Sequence, residues 1–461
     1  MRPPRMVALL LSCTTTLAAQ QQAPGTIAVV GATLWDGTGG GVLDNATVLV
    51  TGGRIACVGS KSACPAPPGA TILDARGRFL FPGLIDTHVH LLFRESGVTD
   101  TSIKSDLHDL LARGITTVRD MGNNPPRLLE AVDSASPAPR VFAMQLVVGP
   151  HFFMPEVERS PDGNVRNHAP AAVGMRQLGW FPILFTHSSD PTSVVSQARA
   201  GGAIGLKLYQ DLDSFQVAAL VGAAHAEGMP VWGHAWVQPA SVLQQSQAGQ
   251  DGVVHAAGLT GELLDGRIRE SLRTSTGLLE ITADSASAAT ARRPQVLAAL
   301  DTLAARGTFL EPTLAAAQLG AARARTNTRR LETLPSRYAL AASGFGFEVT
   351  RQAAARGVRL TAGTDHVAYG PADERAQLAD ELRLFVDSIG LSPGRALLAA
   401  TRDAAIAIGP PARDLGTVVP GKLADLVLFG ADPLANITNL SQVEWVMLGG
   451  VVYRPADLRT H

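Results

Sequence analysis

The chain has 461 residues, of which 46% are hydrophobic and 17% are charged, and its formal net charge is −1. This composition predicts a folded protein with a sizeable core, long enough for one large domain and a smaller one, and it excludes long disorder. The near-neutral charge argues against nucleic acid or an anionic membrane surface as a partner, because both usually require a basic face.

Residues 1–20 resemble a secretory signal peptide. A positively charged start is followed by the apolar run Met6–Leu11 and then by small residues. We therefore expect export to the periplasm or the extracellular space, with cleavage near Ala19 or Gln20. Processing as a lipoprotein at Cys13 is the alternative. The apolar run is too short to span a membrane, and no other segment is apolar enough to do so.

Both ends of the remaining chain are rich in short apolar strands. Glycine-rich turns separate the strands between residues 27 and 80, and the pattern returns between 416 and 453. We predict that residues 21–80 and 410–461 form one small composite β-sandwich domain. Cys57 and Cys64 remain after signal removal, and an exported protein permits a disulfide between them. Two unpaired thiols are the alternative.

Residues 81–409 form the larger predicted domain. Short apolar strands alternate there with helix-length stretches rich in Ala and Leu, which indicates a parallel α/β fold. Eight strand candidates predict a (β/α)8 TIM barrel, whose chemistry lies at the carboxyl ends of its strands. The candidates are Phe79–Ile85, Ile115–Arg119, Val141–Val147, Ala203–Tyr209, Pro230–Ala235, Gly252–Ala256, Thr308–Pro312 and Arg359–Gly363.

The first candidate strand leads into two histidines, His88 and His90, one residue apart. Side chains at i and i+2 of a strand point to the same side, so both imidazoles can face one site. Neutral imidazole is a ligand for zinc and similar divalent metals. A pair of histidines without function at a strand edge is the alternative, and the other strand ends decide between the two.

Strand four carries Lys207 within an apolar run. Lysine is rare in this chain, with four residues against 35 arginines (39 basic residues minus four). A lysine in a strand core favours the neutral amine, because burying its charge is costly. A neutral amine can add carbon dioxide to form a carbamate, whose two oxygens can bridge two metals. A lysine that reaches solvent or pairs with a carboxylate is the alternative.

The predicted ends of strands five, six and eight carry His234, His255 and Asp365. Each one alone suggests a structural role, such as a hydrogen-bonded histidine or a helix N-cap. Polar groups at five strand ends are difficult to explain as coincidence. Together they predict a metal site.

On these residues the chain resembles the amidohydrolase superfamily, in the binuclear branch with a carboxylated lysine. The motifs Gly52–Ile55, Phe81–His90 and Asp414–Leu428 extend the resemblance over nearly the whole mature chain. Imidazolonepropionase-related proteins and Xaa-Pro dipeptidases are the most similar members. The resemblance implies two divalent metal ions, with zinc expected first.

The resemblance also implies a role for each residue. His88, His90 and Asp365 hold the first metal, and His234 and His255 hold the second. Carboxylated Lys207 bridges the two metals together with a hydroxide, which attacks a carbonyl group. Asp365 takes the proton from the attacking hydroxide and passes it to the leaving nitrogen.

The implied function is hydrolysis of a C–N bond in an amide, a peptide or a cyclic amide. The substrate would be a small molecule or a short peptide, as for a dipeptidase or an N-acyl amino acid hydrolase. One alternative is a mononuclear deaminase or an imidazolonepropionase-type hydrolase, which would lack the lysine of strand four. Another is a non-catalytic binding protein on a relic barrel. Relatives are often homo-oligomers, so a homo-oligomer is a further expectation.

Three residues are candidates for substrate contacts. Tyr209 lies two residues after Lys207 on the same strand face, and His151 follows strand three. His366 is next to Asp365 and would orient the leaving group. Loop packing is the alternative for each of them. The loop Pro150–Trp180 is a candidate wall of the substrate pocket.

Overall fold

The computed structural model describes residues 25–92, 99–153, 157–159, 165–167, 181–235, 237–271, 286–326, 334–367 and 375–458. The predicted signal peptide and Cys13 lie outside these residues, as does most of the loop Pro150–Trp180. In the described part of the chain, none of the helices has the length and apolar character that crossing a membrane requires.

Strands and helices alternate through the middle of the chain, whereas its two ends are built mainly of strands. The strands are β1 (Ile27–Trp35), β2 (Val42–Thr51), β3 (Arg54–Ser60), β4 (Thr71–Asp74), β5 (Phe79–Pro82), β6 (Leu84–His90), β7 (Ile115–Asn123), β8 (Arg140–Val148), β9 (Val157–Arg159), β10 (Val165–Asn167), β11 (Ile183–Leu184), β12 (Gly205–Leu208), β13 (Val231–His234), β14 (Gly252–Val254), β15 (Phe309–Glu311), β16 (His366–Val367), β17 (Leu426–Phe429), β18 (Val443–Leu448) and β19 (Val451–Tyr453). The α-helices are Asp100–Ala112, Pro125–Asp133, Pro191–Ala200, Ser214–Ala226, Val242–Gln247, Gly266–Ser271, Pro294–Arg306, Leu314–Thr326, Leu334–Ala355, Leu378–Leu384, Pro393–Ala399, Arg402–Ile408 and Pro455–Leu458. Short 3₁₀ or π segments are Pro150–Phe153, Ala256–Leu263, Thr290–Arg292, Phe385–Ile389, Pro410–Ala412 and Ile437–Ser441.

Strands from both chain ends pair in one mixed sheet. Their order is β19-β18-β17-β5-β1-β2-β3, and β4 also pairs with β1. The antiparallel pairing of β17 with β5 joins the two ends of the chain in this sheet. Alternate residues of its strands form a separate apolar core, which includes Val29, Val48 and Leu428. Cys57 and Cys64 form a disulfide beside β3, with their Cα atoms 5.9 Å apart.

The middle of the chain forms a second sheet, in the order β15-β14-β13-β12-β8-β7-β6-β16, with β11 beside β8. All of its strand pairs are parallel. Helices connect most of these strands, as parallel pairing requires. The protein is therefore a mixed α/β fold.

Residues 359–362 contact both β15, at one end of the parallel sheet, and β6, next to β16 at the other end. Leu310 N–H donates to the Arg359 carbonyl oxygen at 2.9 Å, and Thr87 N–H donates to the Ala362 carbonyl oxygen at 3.1 Å. This segment coincides with the predicted eighth strand, although its ladder is reduced to one bridge between Leu310 and Leu360. The left-handed φ of 54° at Asp365 follows, and β16 then pairs with β6.

The predicted first strand, Phe79–Ile85, is two strands in the structure. β5 belongs to the mixed sheet and β6 to the parallel sheet, and Gly83 separates them. A Cβ atom at Gly83 would lie 2.2 Å from Thr116 Oγ1 on β7. Glycine therefore lets the chain pass close to β7 as it crosses from one sheet to the other.

Candidate metal centre

The two histidines of β6 face the same site. His88 and His90 are both buried, and their Nε2 atoms lie 3.2 Å apart. Two ring nitrogens at this distance can serve one metal or two neighbouring metals. This is the arrangement expected from the two-residue period of a strand.

Asp365 lies against the histidines of β6. Its Oδ1 atom is 3.4 Å from His88 Nε2 and 3.3 Å from His90 Nε2. Its Oδ2 atom is 4.0 Å from His255 Nδ1. His88, His255 and Asp365 each place one ligand atom within 4.8 Å of the other two, which is close enough for a shared metal ion. The end of β6, the end of β14 and the segment before β16 therefore meet.

His234 and Lys207 complete the cluster. The imidazole of His234, at the end of β13, lies with its centroid 4.4 Å from that of His255. Lys207 belongs to the adjacent strand β12, and its side chain is fully buried. The structure thus brings together all six residues proposed as metal ligands from the sequence.

Burial favours the neutral form of three imidazoles in the cluster, those of His88, His234 and His255. It lowers the pKa of His88 to about 4 and that of His255 to about 3. It also lowers the pKa of His234 well below its usual value, and the neighbouring His255 adds to this effect. The neutral imidazole is the form that binds metal, because a ring nitrogen must offer its lone pair.

Lys207 has no partner of its own in the cluster. Among the described residues, no hydrogen-bond acceptor is in reach of its Nζ atom. Burial lowers the pKa of Lys207 to about 7, although Glu311 and Asp365 attract the charged form. A substantial fraction of this amine is therefore neutral at physiological pH.

The sequence profile of the amidohydrolase family matches residues 79–452, which is most of the chain. The chain belongs to the amidohydrolase family. The members of this family are hydrolases that act on C–N bonds, and the matched range contains every residue of the cluster.

Curated relatives of this amidohydrolase share parts of its sequence. An imidazolonepropionase of Idiomarina loihiensis is 43% identical over 65 residues, which are 14% of this chain and 16% of the relative. An imidazolonepropionase of Mycolicibacterium smegmatis is 31% identical over 156 residues, which are 27% of this chain and 39% of the relative. The matches thus span less than half of the length of either relative.

Solved structures share the fold of this amidohydrolase over most of its length. A Xaa-Pro dipeptidase with bound methionine superposes with a TM-score of 0.69 at 19% identity, covering 93% of this chain and 100% of the dipeptidase. A molinate hydrolase superposes with a TM-score of 0.70 at 21% identity, covering 95% and 97% of the two chains. At these identities the likeness establishes the fold alone.

The sequence analysis missed Glu311, the last residue of β15. Its carboxylate is fully buried, and Oε1 lies 2.6 Å from His88 Nδ1. The other oxygen, Oε2, accepts hydrogen bonds from Arg119 Nη2 at 3.0 Å and from the Thr87 hydroxyl. Burial alone would raise the pKa of Glu311, but Arg119 and His88 outweigh burial and lower it to about 2. The sequence signal that could have identified Glu311 is a carboxylate near the end of the predicted strand Thr308–Pro312, a strand for which no metal ligand was proposed.

The substrate-side candidates have different surroundings. The ring of Tyr209 is 4.9 Å from that of His234, centroid to centroid, so it lies beside the cluster. His151 Nδ1 is 2.9 Å from Asp211 Oδ2, and its side chain is partly exposed. His366 is buried, and Asp106 of the helix Asp100–Ala112 is among the charged groups that act on it.

Proposed function

We propose that this amidohydrolase is a metal-dependent enzyme that hydrolyses the C–N bond of an amide, a peptide or a cyclic amide. The convergence of four histidines, Lys207 and Asp365 at the carboxyl ends of parallel strands carries the proposal. The fold shared with a Xaa-Pro dipeptidase supports dipeptides and N-acyl amino acids as substrates. The relatives named imidazolonepropionase support a cyclic amide as the second candidate.

The residues fit two divalent ions. Imidazole and carboxylate are ligands that zinc accepts, and burial favours the neutral form of His88, His234 and His255. The buried and unpartnered Nζ of Lys207 is costly unless it acquires a role. Addition of carbon dioxide to this amine, with release of a proton, would turn it into a carbamate with two oxygen donors. In this proposal the Lys207 carbamate would supply oxygen ligands to both metals.

Each ligand has an assigned place in the proposal. His88, His90 and Asp365 would hold one ion, and His234 and His255 would hold the other, with the Lys207 carbamate shared. When bound, such ions lower the pKa of water and polarise a carbonyl group.

Asp365 is the residue that we propose moves the proton. Its carboxylate lies among the ligand nitrogens, and its side chain is partly accessible, so it can reach a substrate as well as a water molecule. The water oxygen bonds to the carbonyl carbon, and Asp365 accepts the water proton. The C–N bond then breaks, and Asp365 delivers that proton to the leaving nitrogen.

Two side chains would orient the substrate. Tyr209, beside His234, presents an aromatic ring and a hydroxyl group to the cluster. Asp211 accepts from both the backbone N–H and Nδ1 of His151, at 2.8 and 2.9 Å. In its doubly protonated form, His151 would also donate from Nε2 to a substrate carboxylate or carbonyl oxygen.

We also propose the finer architecture expected from the sequence. The contacts of residues 359–362 with β15 and with β6 support closure into a (β/α)8 barrel spanning residues 81–409. The bridge between Arg54 on β3 and Leu423, which leads into β17, supports a mixed sheet that folds onto itself as a small sandwich. Residues 21–80 and 410–461 would form this second domain.

Export is a separate proposal. The signal-like residues 1–20 support it, and the Cys57–Cys64 disulfide is the kind that persists outside the cytosol. Mass analysis of the exported protein is expected to place the N-terminus near Gln20. A diacylated N-terminus at Cys13 would instead identify a lipoprotein.

A screen of zinc-reconstituted protein tests the function. The screen would supply dipeptides, N-acyl amino acids, lactams and imidazolone-type cyclic amides. It would measure release of the amine or opening of the ring. Hydrolysis by the zinc-loaded protein, and none by the metal-free protein, is expected. Full activity with about one zinc per chain would favour the mononuclear alternative, and no hydrolysis of any member would favour the binding-protein alternative.

A further inference from the structure

The contact between Glu311 and His88 determines which ring nitrogen carries the proton. An ionised carboxylate can only accept hydrogen bonds, so His88 Nδ1, at 2.6 Å from Oε1, must be the donor. A neutral imidazole has one N–H. The lone pair is therefore on His88 Nε2, the atom that faces Asp365 Oδ1 and His90 Nε2.

Arg119 prevents the Glu311 carboxylate from turning away. Its guanidinium is fully buried, lies 3.8 Å above the ring of Trp232, and donates to Glu311 Oε2 at 3.0 Å. The other nitrogens donate to the backbone carbonyls of Thr87 at 2.8 Å and Ala407 at 3.1 Å. A guanidinium with this many fixed acceptors is held in one orientation.

The packing around the pair allows little movement. A Cβ atom at Gly363 would lie 2.6 Å from His88 Cβ and 2.7 Å from Glu311 Cδ. The Thr361 hydroxyl also lies 3.4 Å from Glu311 Oε2. The surrounding chain therefore fits closely around both side chains.

We infer that Glu311 is a positioning residue that holds the His88 proton on Nδ1 and aims the Nε2 lone pair into the metal centre, and that Arg119 fixes Glu311 for this task. The inference rests on the proposed metal-dependent function. A carboxylate behind a ligating histidine fixes its tautomer and raises its basicity, and loss of such a partner typically weakens metal binding about 10- to 100-fold.

Glu311→Gln tests the inference, with Glu381→Gln as the matched control. Both glutamates are fully buried. Glu381, however, accepts from the backbone N–H groups of Leu314 and Ala315. Two measurements are made on the full chain. One is the zinc dissociation constant, and the other is the ¹⁵N NMR spectrum of the histidine rings in metal-free protein, with His88 assigned by its loss in His88→Asn.

We expect the wild-type His88 ring to be protonated at Nδ1 and unprotonated at Nε2. In Glu311→Gln the ¹⁵N chemical shifts of His88 Nδ1 and Nε2 move toward each other. The zinc dissociation constant rises about 10- to 100-fold. Glu381→Gln leaves both unchanged. Unaltered shifts and zinc affinity in a folded Glu311→Gln protein would overturn the inference, as would equal effects in the control.

The zinc dissociation constant and the NMR spectrum can fail independently, so a failure of this inference is distinguishable from a failure of the proposed function. A wild-type protein that binds no zinc contradicts the metal-dependent function. In that case the ring spectra of the metal-free proteins still decide whether Glu311 holds the His88 proton.

Discussion

Several residues of the cluster lie in surroundings that suppress charge on their nitrogen atoms. Lys207, His88 and His255 are removed from water, so their neutral forms prevail near physiological pH. The same residues on the surface would carry ordinary pKa values, and the lysine would be a cation. Burial at the strand ends therefore favours the uncharged form that the proposed metal binding requires.

Asp365→Asn is expected to reduce turnover about 10²- to 10⁴-fold, because an amide cannot accept and return the proton. Zinc content should fall much less, since the histidines and Lys207 remain. The measurements are steady-state hydrolysis and zinc per chain, with Asp387→Asn, a substitution on the π-helical segment Phe385–Ile389, as control. Turnover within a few-fold of the wild type would refute the proton-transfer role.

Lys207→Ala is expected to lower zinc occupancy, because the carbamate donor is lost. Short carboxylic acids such as propionate should partly restore binding by supplying two oxygens in the space that is vacated. Zinc per chain is measured with and without the added acid, beside a Lys61→Ala control at an exposed position. Two zinc ions bound by Lys207→Ala without any acid would contradict the carbamate.

At the scale of elements, the centre depends on how closely the strand ends approach. Asp86 of β6 accepts from the Thr364 hydroxyl at 2.7 Å and from the backbone N–H of His88 at 3.1 Å. It thereby fixes the segment carrying Asp365 beside the strand carrying His88. The close contact at Gly363 lies between the same two elements.

Gly363→Ala is therefore expected to lower the free energy of unfolding by about 1–3 kcal/mol, the usual effect of overpacking, and to weaken zinc binding. Gly222→Ala is the control. It lies in the helix Ser214–Ala226 with nothing within 4 Å of the added Cβ, so it should be neutral or stabilising. Urea denaturation measures the free energy of unfolding of both variants. Equal stability of the two variants would show that the strand ends can separate without cost.

Across the whole molecule, the proposed ligands come from residues 88 to 365, so metal binding would link distant parts of the parallel sheet. A ligand that binds only the folded state stabilises it, by about 2.7 kcal/mol at one hundred times its dissociation constant. Metal binding should therefore raise the free energy of unfolding of the entire domain.

Removal of metal with a chelator is expected to lower Tm and abolish hydrolysis, and two equivalents of zinc should restore both. Thermal unfolding and zinc titration followed by activity provide the measurement. Lys207→Ala should show a smaller rise in Tm on zinc addition. An identical Tm for metal-free and zinc-loaded wild-type protein would argue against a metal centre joining these strands.

Local patterns in the sequence were enough to predict much of this centre. His88 and His90 follow from the two-residue period of one strand, and the apolar runs before Lys207, His234 and His255 indicate strand ends without any tertiary information. The alternation of strands and helices likewise predicts the parallel α/β arrangement. Each of these signals is local, because it can be read from a few consecutive residues.

Contacts between distant residues were decided only by the tertiary structure. Glu311 meets His88 across 223 positions, and Arg119 meets Glu311 across 192, so no local spacing connects them. The transfer of the chain between sheets at Gly83 depends on Thr116 of a neighbouring strand in the same way. The sequence by itself determined which polar side chains lie at the strand ends and which strands carry them. The tertiary structure decided which buried partners contact those side chains, because such contacts depend on packing between strands far apart in the chain.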